Sequence, residues 1–360
     1  MAALFDPLAL RGLTLANRIG VSPMCQYSAE DGKANDWHLV HLGGLAQGGA
    51  GLVMTEAAAV TAEGRISPHD LGLWRDDQVE PLARVVRFIR SQGAVAGIQL
   101  AHAGRKAGTA APWRGGGVIP LDQGGWQGVG PSPLPFDAGW TPPRPLEEAD
   151  LAQVVGAFRD AALRALEAGF QVAEVHGAHG YLLHQFLSPL SNHREDRWGG
   201  SFEHRTRLLR DVLTAVRAVW PGDLPVLLRL SATDWVDGGW DLEQSVRLAG
   251  MLGPLGVDLL DCSSGGNVPR AQIPLGPGYQ VPLAARIRRE TGLATAAVGL
   301  ITRPAQAQAI LDEGAADLVL LGRELLRNPR WPLAAAQELG VTVPWPGQYA
   351  RAAAGPVPSR

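Results

Sequence analysis

The sequence predicts an α/β fold in which eight strand–helix units close into a (β/α)8 TIM barrel. Short apolar runs alternate along the chain with longer amphipathic segments. Several of these runs, such as Val226-Leu227-Leu228, are apolar at every position, as expected for parallel strands covered by helices. The other α/β arrangement is an open doubly wound sheet. No GxGxxG follows the first strand, which weakens a dinucleotide-binding interpretation.

The same patterns place the elements along the chain. The predicted strands span residues 18–24, 52–59, 95–100, 172–176, 226–230, 258–262, 294–298 and 317–321. Helix-like stretches between them include residues 151–168, 203–219, 242–252 and 304–313. A barrel of this type takes roughly 250 residues before insertions. We therefore expect one barrel domain over residues 1–340 and a separate C-terminal tail over residues 341–360.

Residues 107–147 interrupt this alternation. They are dense in glycine and proline and contain Trp113, Trp126 and Trp140, a composition that does not form a crossover helix. The segment follows the third predicted strand, so it should lie over the carboxyl end of the barrel, where barrel enzymes have their active sites. A plain surface excursion is the alternative. Because three tryptophans argue against disorder, we predict a lid insertion that borders the substrate site.

Composition excludes several classes of protein. Hydrophobic residues make up 46% of the 360 residues and charged residues 19%, which supports a large core. The net charge of −3 gives no electrostatic reason to expect nucleic acid or an anionic membrane as a partner. No apolar run reaches the roughly 18 residues of a membrane span. Two cysteines and no signal-peptide pattern favour a reduced, cytoplasmic protein without a four-cysteine iron–sulfur cluster.

Arg229 stands inside the apolar fifth strand and needs a partner. A buried guanidinium stays charged, so leaving it without hydrogen bonds is expensive. One interpretation is a structural salt bridge to an acid on a neighbouring strand, such as Glu174 or Asp261. The other is a cation beside an anionic ligand or cofactor ring. The strand pattern alone does not decide between them.

Glycines follow the seventh and eighth strands. Barrels often bind phosphate there through backbone N–H groups. Gly299 and Gly322 permit a close approach of the backbone, and Arg323 adds a positive charge. Together with Arg229, these residues indicate a phosphorylated cofactor that spans the mouth of the barrel.

Two histidines and a tyrosine follow the fourth strand. His176 and His179 flank Gly-Ala, and Tyr181 comes two residues later. A metal site would need a third ligand at a fixed spacing, and no HExxH is present, so no metal is expected. Two hydrogen-bond donors for a carbonyl oxygen beside a proton-donating tyrosine fit better. His184 lies in an apolar run and is interpreted as structural.

Six separated motifs resemble the Old Yellow Enzyme family in order and spacing. They are Ser22-Pro23-Met24-Cys25, Gln99-Leu100-Ala101-His102-Ala103-Gly104-Arg105-Lys106, His176-Gly177-Ala178-His179-Gly180-Tyr181, Ser191-Asn192-His193-Arg194, Gly276-Pro277-Gly278-Tyr279-Gln280 and Gly322-Arg323-Glu324-Leu325-Leu326. The resemblance runs from Leu4 to about Arg351. The pair Cys25 and Tyr27 is similar to that of the bacterial thermophilic-like subgroup.

This resemblance implies an FMN-dependent ene-reductase. NADPH or NADH would deliver hydride to the flavin, which would pass it to the β-carbon of an activated alkene such as an enone, enal or maleimide. By the same resemblance, His176 and His179 would hold the substrate carbonyl and Tyr181 would protonate the α-carbon. Gln99 would contact the flavin ring, and Arg229 would stabilise negative charge on its reduced pyrimidine side.

The resemblance also implies the remaining contacts. The flavin would be bordered by Ser22, Pro23, Met24, Cys25 and Ala57, with Cys25 near its reactive edge, and Gly322 and Arg323 would hold the phosphate. Tyr27 would lie at the substrate end. A C-terminal arginine of the similar subgroup enters the active site of the neighbouring subunit, which implies this role for Arg351 and a homodimer or homotetramer.

Two other classes remain as alternatives. A phosphate-binding barrel lyase or isomerase would typically use a Schiff-base lysine, and of Lys33 and Lys106 just Lys106 lies near a strand end. A non-catalytic flavin-binding barrel would keep the pocket without turnover.

Overall fold

A short antiparallel hairpin precedes the barrel and closes its lower end. The structure, a computed structural model, describes residues 3–353. In the hairpin, β1 (Leu8–Leu10) pairs with β2 (Leu13–Leu15). Leu8, Leu10 and Leu15 are buried in one apolar cluster with the lowest side chains of the barrel interior. The hairpin therefore seals the end of the barrel opposite the carboxyl ends of its strands.

The eight predicted barrel strands are all present. In chain order the further strands are β3 (Ile19–Val21), β4 (Leu52–Ala59), β5 (Val95–Ala101), β6 (Val129–Gly130), β7 (Arg144–Pro145), β8 (Val172–Gly177), β9 (Val226–Ser231), β10 (Leu259–Ser263), β11 (Ala294–Ala297) and β12 (Leu318–Leu321). A closed parallel barrel runs β3-β4-β5-β8-β9-β10-β11-β12, and β12 pairs with β3. The prediction of a (β/α)8 barrel is confirmed. The predicted first strand was too long, because Pro23 has no N–H to donate to a sheet.

Helices surround the barrel. They are α1 (Asp36–Gln47), α2 (Val79–Ser91), α3 (Glu148–Glu167), α4 (Leu182–Leu187), α5 (Phe202–Arg205), α6 (Arg207–Val219), α7 (Leu242–Leu252), α8 (Val281–Thr291), α9 (Pro304–Asp312), α10 (Arg323–Arg327), α11 (Trp331–Glu338) and α12 (Ala350–Ala353). The single helix predicted over residues 203–219 is wrong, since it is divided at Thr206. Thr206 Oγ1 donates to the carbonyl of Glu203 (3.3 Å), a local bond that competes with regular helix. No helix within residues 3–353 is long and apolar enough to cross a membrane.

Side chains inside the barrel change from apolar to polar along β5, β8, β9 and β10. Leu52, Val95, Val172, Leu227 and Leu259 form an apolar layer above the hairpin. Because side chains alternate between the two faces of a strand, positions two and four residues later also face inward. This rule puts a buried polar layer of Gln99, Glu174, Arg229 and Asp261 above the apolar one, and His176, Ser231 and Ser263 above that. The polar end is therefore the carboxyl end of the strands.

A bulge in β4 re-aims its last residues. The pairing of β4 with β5 shifts between Met54 and Ala57, so that Ala57 lies opposite Gln99. Bulges add a residue to one strand and turn the following side chains. Here the bulge places the small side chain of Ala57 beside the polar layer.

Residues 107–147 contain no α-helix, in agreement with their glycine- and proline-rich composition. They hold short turns and the two-residue strands β6 and β7. Trp113 packs edge-on against Tyr27, with 5.7 Å between ring centroids, and Trp126 Nε1 donates to the carbonyl of Glu63 (2.9 Å). The segment thus contacts the loops that follow β3 and β4. Its function as a lid stays a prediction.

Candidate active site

A cavity of about 250 Å³ opens at the ends of β9, β10, β11 and β12. Its walls include Arg229, Gln280, Gly299, Leu300, Gly322 and Arg323. Gly299 has a φ of 123°, and a Cβ there would lie 2.9 Å from Gln280 Nε2, so the wall at this point requires glycine. The glycines and Arg323 predicted from the sequence to meet a phosphate therefore border one cavity.

Arg229 reaches this cavity from inside the barrel. Its Nη2 donates to Ser22 Oγ (3.0 Å), and its Nε lies 3.0 Å from Asp261 Oδ2. Nη1 has no hydrogen-bond partner among residues 3–353. The structural interpretation of Arg229 is therefore supported by its pair with Asp261, while its role beside an anionic ligand stays a prediction. A cation with a free donor beside a glycine-rich wall fits a phosphorylated flavin.

Two buried carboxyl groups accompany Arg229. Gln99 Nε2 donates to Glu174 Oε1 (2.8 Å), while Glu174 Oε2 accepts no hydrogen bond from a described residue. Burial, together with the charge of Asp261, raises the pKa of Glu174 to about 8. Burial also raises the pKa of Asp261 to about 6, against the opposing effect of Arg229. At neutral pH the two buried carboxyl groups therefore keep one proton between them.

His176, His179 and Tyr181 come together above this polar layer. The ring of His176 lies 5.2 Å from that of His179 and 5.1 Å from that of Tyr181, between centroids. His176 is also the register partner of Arg229 across β8 and β9. His179 Nε2 contacts Ser263 Oγ (2.7 Å), whereas His176 Nδ1 is buried with no partner among the described residues. The three predicted catalytic side chains therefore form one cluster beside the strand position of Arg229.

The turn that carries His179 and Tyr181 is sterically demanding. His179 has a φ of 59°, in the left-handed region that few residues other than glycine adopt. Gly180 follows with a φ of 71°, and a Cβ there would lie 2.2 Å from the carbonyl oxygen of Gly266. The Gly180 position therefore tolerates no side chain, and the turn holds both flanking side chains in place.

Burial sets the protonation state of these side chains. Burial and the nearby Arg229 lower the pKa values of His176 and His179 well below the ordinary range, so both rings are neutral at neutral pH. Each neutral imidazole has one donor and one acceptor nitrogen. Burial raises the pKa of Tyr181 well above its ordinary value, so its phenol keeps the proton. The pocket thus offers hydrogen-bond donors without a charged histidine.

The segment Ser22–Tyr27 runs from the cavity to the cluster of His176, His179 and Tyr181. Ser22 is buried beside Arg229, whereas Pro23, Met24 and Cys25 are partly exposed. Cys25 and Tyr27 pack with Tyr181 and Trp126 against an apolar cluster of Ile66, Ala103 and Ala107. Burial raises the pKa of the Cys25 thiol, so Cys25 is protonated at neutral pH. This segment joins the two halves of the site.

Comparison of the sequence with known protein families identifies the family to which this site belongs. A family model described as NADH:flavin oxidoreductase / NADH oxidase matches residues 3–341. The chain belongs to this family. It is an NAD(P)H-dependent oxidoreductase of the Old Yellow Enzyme type, with FMN as its cofactor and NADPH or NADH as co-substrate.

Relatives and solved structures agree with this assignment. An NADPH dehydrogenase of Halalkalibacterium halodurans is 48% identical over 351 residues, which cover 97% of this chain and 98% of the relative. An NADPH dehydrogenase of Listeria innocua is 49% identical over 354 residues, with 98% and 99% covered. Morphinone reductase in complex with tetrahydroNAD is 29% identical with a TM-score of 0.77 and covers 96% and 93%. The old yellow enzyme homologue of Zymomonas mobilis is 26% identical with a TM-score of 0.76 and covers 94% of both chains.

His184 has the structural role predicted for it. Its Nδ1 accepts a hydrogen bond from the N–H of Gly180 (2.9 Å), and its Nε2 lies 3.0 Å from Asp234 Oδ1. Both side chains are buried, and the pair supports the turn that carries His179. No group of three potential metal-ligating side chains occurs within the part of the chain that the structure describes.

Two contributors to the site were missed by sequence reasoning. Gln280 Nε2 donates to the carbonyl of Val298 (3.0 Å), and its Oε1 accepts from Ser264 Oγ (2.6 Å), so it supports the cavity wall. Gln280 ends one of the six motifs named above, yet a glutamine before a helix does not by itself indicate a role in a binding site. Lys106, considered solely as a Schiff-base candidate, donates from Nζ to the carbonyl of His179 (2.9 Å).

Arg351 is not brought to this site within the chain. It lies in α12 with an exposed side chain. The tail packs against its own chain through Tyr349, whose ring is 4.6 Å from the guanidinium of Arg330. Residues 354–360 of the predicted tail lie outside the described residues. The entry of Arg351 into a neighbouring active site stays a prediction.

Proposed function

We propose that this enzyme is an ene-reductase that reduces the carbon–carbon double bond of activated alkenes such as enones, enals and maleimides. The observation that carries the proposal is the convergence of His176, His179 and Tyr181 in one cluster beside Arg229. Bound FMN supplies the redox carrier that takes hydride from NADPH or NADH and gives it to the β-carbon of the alkene. The remaining chemistry belongs to side chains of this chain.

His176 and His179 hold the carbonyl oxygen of the substrate. Both rings are neutral, so each donates through a single nitrogen. His179 Nε2 contacts Ser263 Oγ, so the tautomer with its proton on Nδ1 would accept from Ser263 and donate to a ligand. Hydrogen bonds to the carbonyl oxygen stabilise the negative charge that it gains when hydride reaches the β-carbon.

Tyr181 gives the proton to the α-carbon. A proton donor must keep its proton until the carbon becomes basic, and the raised pKa of Tyr181 meets this condition. Its ring lies 5.1 Å from that of His176, so one substrate can contact both side chains. Hydride and proton would then reach adjacent carbons of the same double bond.

The cofactor contacts follow from the walls of the cavity. Gly299, Gly322 and Arg323 would meet the phosphate through backbone N–H groups and a guanidinium. Ser22, Pro23, Met24, Cys25, Ala57 and Gln99 would border the ring system. Arg229 would lie at its pyrimidine edge, because its side chain lines the cavity and its Nη1 has no hydrogen-bond partner among residues 3–353.

The substrate end and the assembly complete the proposal. Tyr27 would border the alkene, with residues 107–147 as the lid, since Trp113 packs on Tyr27. Arg351 is exposed, as a residue that enters a neighbouring subunit must be, and a homodimer or homotetramer would share active sites in this way. Cys25 and Cys262 are free thiols, which suits a reducing cytoplasm.

Three matched small molecules test the proposed activity. NADPH oxidation is followed without oxygen in the presence of 2-cyclohexenone, cyclohexanone or cyclohexene. We expect turnover with 2-cyclohexenone alone, with cyclohexanone as the product, because the alkene needs an adjacent carbonyl that the histidines can hold. Reduction of cyclohexanone to an alcohol, or no turnover with any of several activated alkenes, would refute the proposal.

A further inference from the structure

Lysine is almost absent from this chain. Of 32 lysine and arginine residues, only Lys33 and Lys106 are lysines. Lys33 is on the surface and pairs with Asp77. Lys106 follows β5 at the edge of the active site. Arginine stays charged at every accessible pH, whereas the charge of a lysine depends on its surroundings. Lys106 therefore places near the active site a cation whose charge can change with pH.

The ammonium group of Lys106 ties two loops to the catalytic turn. Nζ donates to the carbonyls of His179 (2.9 Å) and Gly266 (3.0 Å). It also lies 5.0 Å from the ring centroid of Tyr181 and 4.5 Å from that of Phe136. No carboxylate of residues 3–353 lies within ion-pair distance of Nζ. The ammonium therefore lies over the ring of Tyr181 without a counter-ion among the described residues.

The surroundings of Lys106 weaken its hold on the proton. The charged and titratable groups around it are Arg105 on its own turn, His176, His179, Tyr181 and His184 from β8 and α4, Arg229 and Asp234 from β9 and its loop, and Asp137 beside Phe136. Asp234 pairs with His184 and Asp137 with Arg270, so neither neutralises Lys106. Burial, followed by the charge of Arg105, lowers the pKa of Lys106 to about 8.

We propose that the charge of Lys106 controls proton donation by Tyr181, and that Lys106 thereby acts as a positioning residue for alkene reduction. The inference rests on the proposed function. A cation 5.0 Å from the phenol ring stabilises the tyrosinate that remains after the proton has left. A neutral lysine keeps two N–H groups, enough for the carbonyls of His179 and Gly266, so deprotonation removes the charge and retains the contacts.

The inference predicts a specific pH dependence. The alkene-reduction step should be fast while Lys106 is protonated and should slow by about tenfold as pH rises through its pKa. Reduction of the flavin by NADPH does not use Tyr181, so its rate should not show this decrease at high pH. A purely structural lysine would affect both steps alike and at all pH values.

Lysine NMR measures the titration without any activity. Holoenzyme labelled with ¹³C at lysine Cε gives two resonances, and Lys33→Arg identifies the surface one. We expect the Lys106 resonance to titrate near pH 8. A Lys106 resonance that titrates at or above the ordinary lysine value of about 10.4 overturns the inference.

Two substitutions then test the link to proton donation. At pH 7, Lys106→Met should slow alkene reduction by about tenfold, and the rate should no longer decrease as pH rises. Lys106→Arg should keep the rate high through pH 9.5. Lys33→Arg should resemble wild type. The inference fails while the proposed function stands if both Lys106 variants keep the decrease in rate at high pH. It fails in the same way if the wild-type enzyme shows no such decrease. If wild-type enzyme reduces no alkene at any pH, the proposed function fails and this inference with it.

Discussion

Replacing Arg229 with methionine separates its two roles. Methionine has a similar length and no charge, so it keeps much of the packing and removes the cation. The substitution leaves Asp261 buried without a counter-ion. Breaking a buried pair in this way typically costs about 3–5 kcal/mol, less where the remaining acid takes up a proton. We expect a less stable but folded protein with lower FMN occupancy.

The redox effect follows from the distance between the charge and the cofactor. A unit charge about 5 Å from a developing charge, at an effective dielectric constant of about 20, contributes about 3 kcal/mol. Since about 1.4 kcal/mol corresponds to about 30 mV for a two-electron couple, the midpoint potential should fall by at most about 70 mV. Protonation of Asp261 or Glu174 in the variant removes negative charge, so the fall should be larger at pH 9 than at pH 6.

Spectroelectrochemical titration of the folded, FMN-loaded variant measures this shift. Arg205→Met is the matched control, because Arg205 is also buried but donates to the carbonyls of Leu187 and Gly200 outside the cavity. We expect the control to lose stability and to keep the wild-type potential. An unchanged potential in Arg229→Met at both pH values would refute the placement of this guanidinium beside the flavin.

Three further predictions concern the carboxyl cluster, the histidine pair and the tail. Because the pKa of Glu174 is raised in the folded state, the protein loses stability as pH rises from about 4.5 to about 8. Glu174→Gln should therefore reduce this loss of unfolding free energy by at least about 1 kcal/mol, as measured by urea titrations at the two pH values. Substitution of the exposed Glu338 by glutamine is the control and should leave the loss unchanged. Combined His176→Ala and His179→Ala should weaken phenol and enone binding by about 1–3 kcal/mol per lost bond in calorimetry, and chelators should have no effect; inhibition by EDTA would instead indicate a metal site. Arg351→Ala should raise the KM for alkene while FMN affinity is unchanged, and an intact chain that sediments as a fully active monomer would contradict the shared site.

Most of the barrel could be predicted because its signal is local. Parallel strands that are buried on both faces read as apolar runs, and all eight runs became strands. The ends were less certain, since Pro23 shortens β3 and Glu147 with Asp150 starts α3 three residues before the predicted position. The hairpin of β1 and β2 gave no usable signal, because three-residue strands are too short to show a period.

The site was partly predictable for a geometric reason. Residues at the carboxyl ends of barrel strands meet at one face, so His176, Arg229 and Gly299 could be grouped before any distance was known. What the sequence did not contain was the pairing between distant residues. The choice of Asp261 as the partner of Arg229, and of Glu174 as the partner of Gln99, depends on strand register. The contact of Lys106 with the His179 turn depends on how separate loops pack.

The division of labour within the site is the central claim, and a double-mixing experiment on Tyr181→Phe tests it most directly. The variant is first reduced with NADPH without oxygen and then mixed with 2-cyclohexenone, while flavin absorbance reports each step. Tyr349→Phe is the matched control, since Tyr349 packs on Arg330 in the tail. We expect flavin reduction at the wild-type rate and alkene reduction slowed by about 10²–10⁴-fold, because the proton donor is lost while the hydride source is intact. Equal slowing of both steps, or an unchanged rate of alkene reduction, would contradict the account.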